Sequence, residues 1–177
     1  LANFYNSLLT AISYLERIFE TIDEPVAVKD KEGAAVMPPI RGKVTFDHVS
    51  FSYEDGVRIL NDVSFTAEPG QSFAIVGPTG AGKSTIVNLL SRFYNVDSGR
   101  VLVDDVDISD VTLHSLRSQM GVMMQDSFIF SGTIMDNIRY GNRTATDEEV
   151  VRAAKTVCAH DFIMEMEDGY HTQVNER

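Results

Sequence analysis

Basic residues are scarce in this sequence. Among 177 residues, 15 Lys and Arg stand against 26 Asp and Glu, which gives a formal net charge of -11. A broad electrostatic attraction to nucleic acid or to anionic lipid is therefore not supported, because such binding requires an excess of cationic side chains to neutralise phosphates. Any anion that the chain binds must be held by a local site.

Cysteine and long apolar runs are also lacking. The single cysteine, Cys158, cannot form an internal disulfide, which is typical of a protein from a reducing, cytosolic setting. We predict that Cys158 is a small buried apolar residue in a helical segment. Nowhere do about 18 apolar residues follow one another, and the start LANFYNSLLT has no basic stretch before an apolar one. The sequence predicts neither a membrane span nor a signal peptide.

What is present indicates one folded domain. Hydrophobic residues make up 44% of the chain and charged residues 23%, which is ordinary for a globular protein with a core. Residues 1–22 have an apolar repeat at spacings of three and four, which predicts a helix about 33 Å long with one apolar face. That face packs either on the chain's own domain or on a partner. The repeat consists of Leu1, Tyr5, Leu8, Ile12, Leu15, Phe19 and Ile22.

A proline-containing linker separates this helix from a β-rich region. Residues 25–42 hold three prolines and a charge cluster, so we expect an extended or loosely ordered segment. From residue 43, KVTFDHVSFSY and VSFTAE read as strands and SFAIV as a buried strand. KSTIVNLLSRF then reads as a helix, RVLVD as a strand, LHSLRSQ as a short helix and MGVMMQ as a strand. In TDEEVVRAAKTVCA, Thr146 and Glu149 form a capping box at the start of another helix.

The strongest motif is GPTGAGKST, residues 77–85. It fits the pattern GxxxxGK[ST], in which glycine-rich backbone N–H groups surround a phosphate chain at the start of a helix. We assign Lys83 to the β- and γ-phosphates, Ser84 to Mg²⁺, and the N–H groups of residues 80–85 to phosphate oxygens. The alternative is a glycine turn with an exposed lysine. The loop residues expected to bind the nucleotide are Gly77, Thr79, Gly80, Ala81, Gly82, Lys83, Ser84 and Thr85.

The segments around this loop resemble the nucleotide-binding domain of ABC (ATP-binding cassette) transporters of the half-transporter exporter type. The resemblance covers nearly the whole chain and rests on VSFSY, GPTGAGKST, LLSRFYNVDSGRVLVD, LRSQMGVMMQD, FIFSGTIMDNIRYG and ATDEEVVRAAKTVCAHDFI, in that order. No N-K-x-D base-reading sequence follows the loop, so a GTPase is not favoured. The resemblance implies an α/β fold: a P-loop NTPase core sheet with an antiparallel β edge subdomain, preceded by an N-terminal helix and linker.

Three further features take a role from this resemblance. Tyr53 matches the aromatic residue that stacks on adenine, through its ring more than its hydroxyl, so Tyr53→Phe is expected to cost little. Gln125 matches the glutamine that contacts Mg²⁺ and the attacking water, which makes it, with Lys83, the expected catalytic pair. Residues 128–130 resemble the groove that receives the coupling helices of the transmembrane domain. Without the resemblance, Tyr53 would be a packing residue, Gln125 a surface residue and residues 128–130 core.

Two segments depart from the family pattern. Asp105 occupies a turn position that glycine commonly fills, which leaves that turn's geometry open. In YHTQVNER, Asn175 stands where glycine is usual, although Glu176 and Arg177 match the loop that precedes the family's signature sequence. The four histidines do not match the family's switch histidine and are interpreted as surface or local packing residues: His48, His114, His160 and His171.

The resemblance therefore predicts the ATP-binding part of an exporter that couples ATP binding and hydrolysis to transport. Residues 1–24 would continue from the last transmembrane helix, 25–42 would be the linker, and 43–177 the N-terminal part of the nucleotide-binding domain. The expected cofactors are ATP and Mg²⁺. The expected partners are a second nucleotide-binding domain and the transmembrane domain's coupling helices at the cytoplasmic face of a membrane, with no nucleic acid.

The same resemblance limits what these residues can catalyse. The signature sequence and the strand that ends in Asp-Glu, the Walker B motif, have no match within residues 1–177 and are expected beyond Arg177. We therefore expect these residues alone not to hydrolyse ATP. The alternative function is a non-catalytic, degenerate or regulatory, nucleotide-binding module.

Overall fold

A computed structural model describes residues 2–54, 56–123 and 128–175. It divides into two compact units, Leu1–Gly121 and Val122–Arg177. The first unit contains a long helix, a four-stranded sheet and the glycine loop with its helix. The second is a small helical unit with one short two-stranded antiparallel sheet.

The N-terminal apolar repeat forms a helix, α1, over Ala2–Ile22, as its spacing predicts. The apolar side chains that the structure describes on this helix are exposed rather than packed into a core: Leu15 is 52% exposed, Phe19 55% and Ile22 68%. The interpretation in which this face packs on the chain's own domain is therefore wrong for these side chains. Among the residues described, no helix combines the length and apolar character needed to cross a bilayer.

The sheet of the first unit is antiparallel and contains β1 (Val44–Ser52), β2 (Arg58–Ala67), β3 (Ser98–Val103) and β4 (Val106–Asp107), in the order β2-β1-β3-β4. A short helix, α3, follows over Leu113–Arg117. Apolar residues alternate along the strands, so one face of the sheet is buried. The core beneath that face includes Phe46, Val49, Phe51, Leu60, Val101 and Leu116, each at most 4% exposed.

A bulge bends β1 where it meets β2 and β3. His48 and Asp62 both have left-handed backbone angles, with φ of 51° and 54°, and their side chains hydrogen-bond at 2.6 Å. This bond to the Asp62 carboxylate raises the pKa of the exposed His48 ring. On the other side of β1, an added Cβ at Gly99 would lie 2.2 Å from the His48 carbonyl oxygen. Only glycine fits there, which fixes the close approach of β1 and β3.

The proline-containing segment is extended but anchored along its second half. Met37 is 3% exposed and its backbone N–H donates to Ser115 Oγ at 2.8 Å. The Ile40 N–H donates to Gln119 Oε1 at 3.0 Å. Residues 35–43 are thus extended rather than loosely ordered, because the Met37 and Ile40 donors bond to Ser115 in α3 and to Gln119 just after it, and those of residues 41–43 bond to the turn after β3.

That turn is a two-residue hairpin connection. Asp104 and Asp105 have φ of 50° and 67°, the left-handed pair that a tight turn between antiparallel strands requires. Asp105 pairs with Lys43 at 2.7 Å, so an aspartate occupies the glycine position without disturbing the hairpin. The Asp104 carboxylate accepts backbone N–H groups of residues 41–43. Burial raises the pKa of Asp104, but these hydrogen bonds outweigh it and lower the pKa below its usual value.

The second unit packs three helices beside a short two-stranded antiparallel sheet. The sheet pairs β5 (Gly132–Thr133) with β6 (Gln173–Val174), and the helices between these strands are α4 (Ile134–Arg139), α5 (Asp147–Thr156) and α6 (His160–Met164). The predicted capping box of Thr146 and Glu149 is confirmed, and Thr133 with Asp136 forms a second one. The core consists of Met135, Val150, Ala154, Ile163 and Tyr170.

Three sequence predictions are wrong. SFAIV, residues 72–76, is not a strand: Phe73 stacks on Phe65 of β2 at 4.9 Å, while Val76 is 89% exposed. No strand pairs with this segment among the described residues, and an unpaired strand has no ladder of hydrogen bonds to stabilise it. Residues 120–123 of MGVMMQ are likewise irregular, with Met123 95% exposed.

The third wrong prediction concerns Cys158, which is exposed. It follows α5 with φ of 58°, its N–H donates to Lys155 O, and the next N–H donates to Ala154 O. These are the two bonds of a Schellman ending, in which the left-handed residue lies outside the helix. The helix therefore ends before Cys158, and that is why the residue is not packed within it.

Candidate nucleotide-binding site

The helix after the glycine loop, α2, spans Lys83–Leu90 and begins at Gly82. Gly82 has φ of 84° and is buried, and a Cβ there would lie 2.7 Å from Leu60 Cδ2. Gly80 has nearly the same angle, φ of 83°, but open space around it. Glycine is thus required at position 82 by conformation and packing together, and at position 80 by conformation alone.

The Lys83 ammonium group lies across the loop. Its Nζ donates to the carbonyl oxygens of Gly77 at 2.9 Å and Pro78 at 2.7 Å. It therefore adds a full positive charge beside the first turn of α2, where helix N–H groups have no partner within the helix. Ser84 is exposed at this turn, and Thr85 is 4% exposed. A cation, a helix N-terminus and two hydroxyls at one place can bind a chain of phosphates.

Tyr53 lies directly beside this helix, immediately after β1. Its hydroxyl donates to Thr85 Oγ1 at 3.2 Å and accepts from Asn88 Nδ2 at 3.3 Å. Tyr53 is 45% exposed, and its ring makes T-shaped contacts with Phe51, at 4.9 Å between centroids, and with Tyr94, at 5.0 Å. A half-exposed aromatic residue thus lies next to the phosphate-binding helix.

Sequence reasoning missed Asn88 and Tyr94. Both lie in the stretch NLLSRFY, and the only signal for Tyr94 is an aromatic pair just after the helix. For Asn88 the signal is its spacing of three residues from Thr85, which places both side chains on one face of α2. Neither signal predicts a contact with Tyr53, because Tyr53 follows β1 and only the folded sheet places it beside Asn88 and Tyr94.

Three of the predicted residues, Gln125, Glu176 and Arg177, lie outside the described residues. Asn175 is described and follows β6 without regular structure. Of the histidines, His160 bonds to Tyr170 at 2.9 Å and His48 to Asp62, so both make local contacts. Within the described ranges, no cluster of His, Cys, Asp and Glu could hold a metal ion by itself.

The aromatic patch of the second unit is exposed, as a docking groove would be. Phe128 is 55% exposed, Ile129 40% and Phe130 42%. Phe128 and Tyr140 contact the Phe130 ring with centroids at 4.8 and 4.4 Å. The Asn137 side chain holds the Phe130 backbone by accepting its N–H and donating to its carbonyl, each at 2.9 Å. The alternative in which these residues are core is wrong.

The glycine loop, its helix and the antiparallel sheet occur together in a known family. The family model described as ABC transporter matches residues 60–174, more than half of the chain. The chain belongs to the ABC transporter family. The family resemblance expected from the sequence is confirmed.

Relatives match this ABC transporter chain along almost its whole length. An ABC transporter ATP-binding protein of Bacillus subtilis, YknV, is 47% identical over 100% of the chain and 29% of its own length. The fatty acid ABC transporter ATP-binding/permease protein of Mycobacterium bovis is 45% identical over 99% of the chain and 27% of its own length. Human ATP-binding cassette sub-family B member 6 is 49% identical over 98% of the chain and 21% of its own length.

A solved structure of a bacterial Atm1-family ABC exporter with ATP bound has a TM-score of 0.87 and 43% identity, covering 98% of this chain and 30% of that one. This match confirms the α/β P-loop NTPase fold class with its antiparallel β edge. The chain thus spans less than a third of the relatives that it matches.

Proposed function

We propose that residues 1–177 form the ATP-binding part of an ABC exporter's nucleotide-binding domain. The observation that carries this proposal is the placement of three groups at the start of α2: the Lys83 ammonium across the loop, the buried Thr85 hydroxyl, and the half-exposed Tyr53, whose hydroxyl bonds to Thr85. Phosphates and a base are the two parts of a nucleotide that such groups recognise. The names of the relatives, which include ATP-binding proteins and an exporter with ATP bound, support the same function.

In this proposal the loop binds the triphosphate. Lys83 Nζ exchanges its carbonyl partners at Gly77 and Pro78 for β- and γ-phosphate oxygens, because a bond to an ionised acceptor is stronger than one to a neutral carbonyl. The loop N–H groups of residues 80–85 bind the remaining oxygens. Tyr53 offers its ring face to adenine, and stacking of this kind is only weakly base-selective.

The residues at the helix start fit a magnesium ion. Mg²⁺ prefers oxygen ligands and shares its coordination with substrate phosphates, and the hydroxyl of Ser84 lies next to Lys83 in the chain. Ser84 would hold the ion, and Gln125 is proposed as a second contact. The ion would offset phosphate charge during phosphoryl transfer.

We further propose that hydrolysis depends on groups outside residues 1–177. Phosphoryl transfer needs positioned charge and an oriented water, and in ABC transporters these come from the Walker B carboxylates and from the signature loop of a second domain. The partners would be a second nucleotide-binding domain and a transmembrane domain at the cytoplasmic face of a membrane. The exposed apolar side of α1 and the patch around Phe130 are the surfaces proposed to face the transmembrane domain. A non-catalytic module that binds ATP as a switch is the alternative.

The experiment that tests the site is Lys83→Ala. Loss of the ammonium group should weaken Mg-ATP binding by about 1.5 to 3 kcal/mol, the range for hydrogen bonds to charged groups. Isothermal titration of the full chain with Mg-ATP measures the loss. Lys155→Ala, an exposed lysine near the end of α5, is the matched control and should bind as the unaltered chain does. Equal affinity of both variants would remove Lys83 from the site.

A further inference from the structure

Three side chains form a directed series of hydrogen bonds at the nucleotide site. Asn88 Nδ2 donates to the Tyr53 hydroxyl at 3.3 Å, and that hydroxyl donates to Thr85 Oγ1 at 3.2 Å. Thr85 and Asn88 belong to α2, and Tyr53 comes from the end of β1. The series therefore connects the sheet to the phosphate-binding helix through one phenol.

The direction of the series leaves one proton available. A tyrosine hydroxyl has one hydrogen, and here that hydrogen goes to Thr85 while the oxygen accepts from Asn88. Thr85 accepts the bond, so its own hydroxyl hydrogen can be donated to a ligand. Thr85 is 4% exposed and lies in the first turn of α2, where free N–H groups favour an anion. Bonds in such a series strengthen one another.

The series also limits how the Tyr53 ring can turn. Phe51 and Tyr94 make T-shaped contacts with it, with interplanar angles of 84° and 87°. These two contacts restrict the rotation of the ring, and the two hydroxyl bonds hold its far end against α2. With both in place the ring is preorganised and has little freedom to lose when a base stacks on it.

We propose that Asn88 is a positioning residue for nucleotide binding: through the Tyr53 hydroxyl it holds the base-stacking ring on the helix that binds the phosphates. This inference rests on the proposed function, in which Tyr53 stacks on the base. It changes one expectation from the sequence, because the hydroxyl now contributes and Tyr53→Phe should no longer be nearly neutral.

The expected effect of breaking the series is selective. Ordering a free side chain on binding lowers affinity by about 2- to 12-fold, so Asn88→Leu and Tyr53→Phe should each weaken Mg-ATP binding within that range. Binding of tripolyphosphate, which has no base, should change by less than about 2-fold, because only the polarisation of Thr85 is lost. The double variant should be no weaker than the weaker single variant, since both remove the same link.

The test is titration of the full chain and its variants with Mg-ATP and with Mg-tripolyphosphate. Asn95→Leu makes the same chemical change at an exposed position after α2 and is the matched control. Tyr53→Ala removes the ring itself and should weaken ATP binding more than Tyr53→Phe does. Thermal unfolding shows which variants are folded, and Tyr53→Phe, which keeps the ring, decides the question if Asn88→Leu does not fold.

The outcomes separate this inference from the proposed function. If Tyr53→Ala weakens ATP binding while Asn88→Leu and Tyr53→Phe leave it unchanged, the positioning role is wrong and the stacking role stands. Equal losses of ATP and tripolyphosphate affinity in Asn88→Leu would show a structural role for Asn88 and overturn the inference. If the unaltered chain binds no ATP, or Tyr53→Ala binds it normally, the proposed function itself fails.

Discussion

Two glycines of the phosphate-binding loop offer a matched pair for testing how the loop is built. Gly80 and Gly82 have φ of 83° and 84°, so an alanine at either position meets the same backbone strain. They differ in their surroundings. A Cβ at Gly80 meets nothing within 4 Å, whereas a Cβ at Gly82 would lie 2.7 Å from Leu60 Cδ2 and 3.3 Å from Ile59 Cγ2.

The expected losses of stability follow from this difference. A left-handed alanine costs about 1 to 2 kcal/mol, which is the whole effect expected for Gly80→Ala. Gly82→Ala adds an overpacked contact with Leu60, which is 4% exposed and has little room to move. Overpacking costs about 1 to 3 kcal/mol, so the free energy of unfolding should fall by about 2 to 5 kcal/mol in Gly82→Ala.

Urea unfolding without nucleotide, followed by circular dichroism, measures both losses. Leu60→Val provides an internal check. The Gly82→Ala methyl group would clash with Leu60 Cδ2, and valine has no δ carbons. The double variant Gly82→Ala with Leu60→Val should be more stable than the sum of the two single losses implies. Equal destabilisation by Gly80→Ala and Gly82→Ala, or strict additivity with Leu60→Val, would refute the packing explanation.

Two further predictions follow from the turn after β3 and from the proposed site. The lowered pKa of Asp104 means that its contribution to stability is present above the usual carboxyl value of 3.8 and is lost as pH falls through the folded-state value. Asp104→Asn should therefore flatten the acid side of the stability curve measured by thermal unfolding between about pH 2 and 6, and an unchanged curve would contradict this. Phosphate release from ATP by the full chain should not exceed that of Lys83→Ala, because the proposed site lacks Walker B carboxylates and a partner's signature loop. Robust turnover above that control would show that residues 1–177 complete the site.

Local signals in the sequence predicted the parts of the fold that depend on local contacts. The capping box at Thr146 and the start of α2 after Gly82 are set by neighbours within a few residues. SFAIV was predicted wrongly because its apolar run shows only that a strand could form. Pairing decides whether it does, and pairing depends on distant segments.

The candidate site likewise contains residues that a local motif identifies and residues that only the fold brings together. GPTGAGKST identified Lys83 and the loop because the motif is continuous in the sequence. The bonds from Tyr53 to Thr85 and Asn88 span 32 and 35 residues, and no periodicity reports contacts of that length. Tyr53 itself was recognised only through its family resemblance, and its partners were found only in the structure.

The anchored segment between α1 and the sheet has a mechanical consequence. Its backbone N–H groups are held by Ser115 and Gln119, in and just after α3, and by the Asp104 carboxylate at the β3–β4 turn. A force applied to α1 would therefore be transmitted by an anchored segment and not absorbed by a flexible linker. It would load α3 and the β3–β4 turn, and through β3 the neighbouring strand β1, whose last residue precedes Tyr53. A force on α1 would thus reach the strand that ends next to Tyr53.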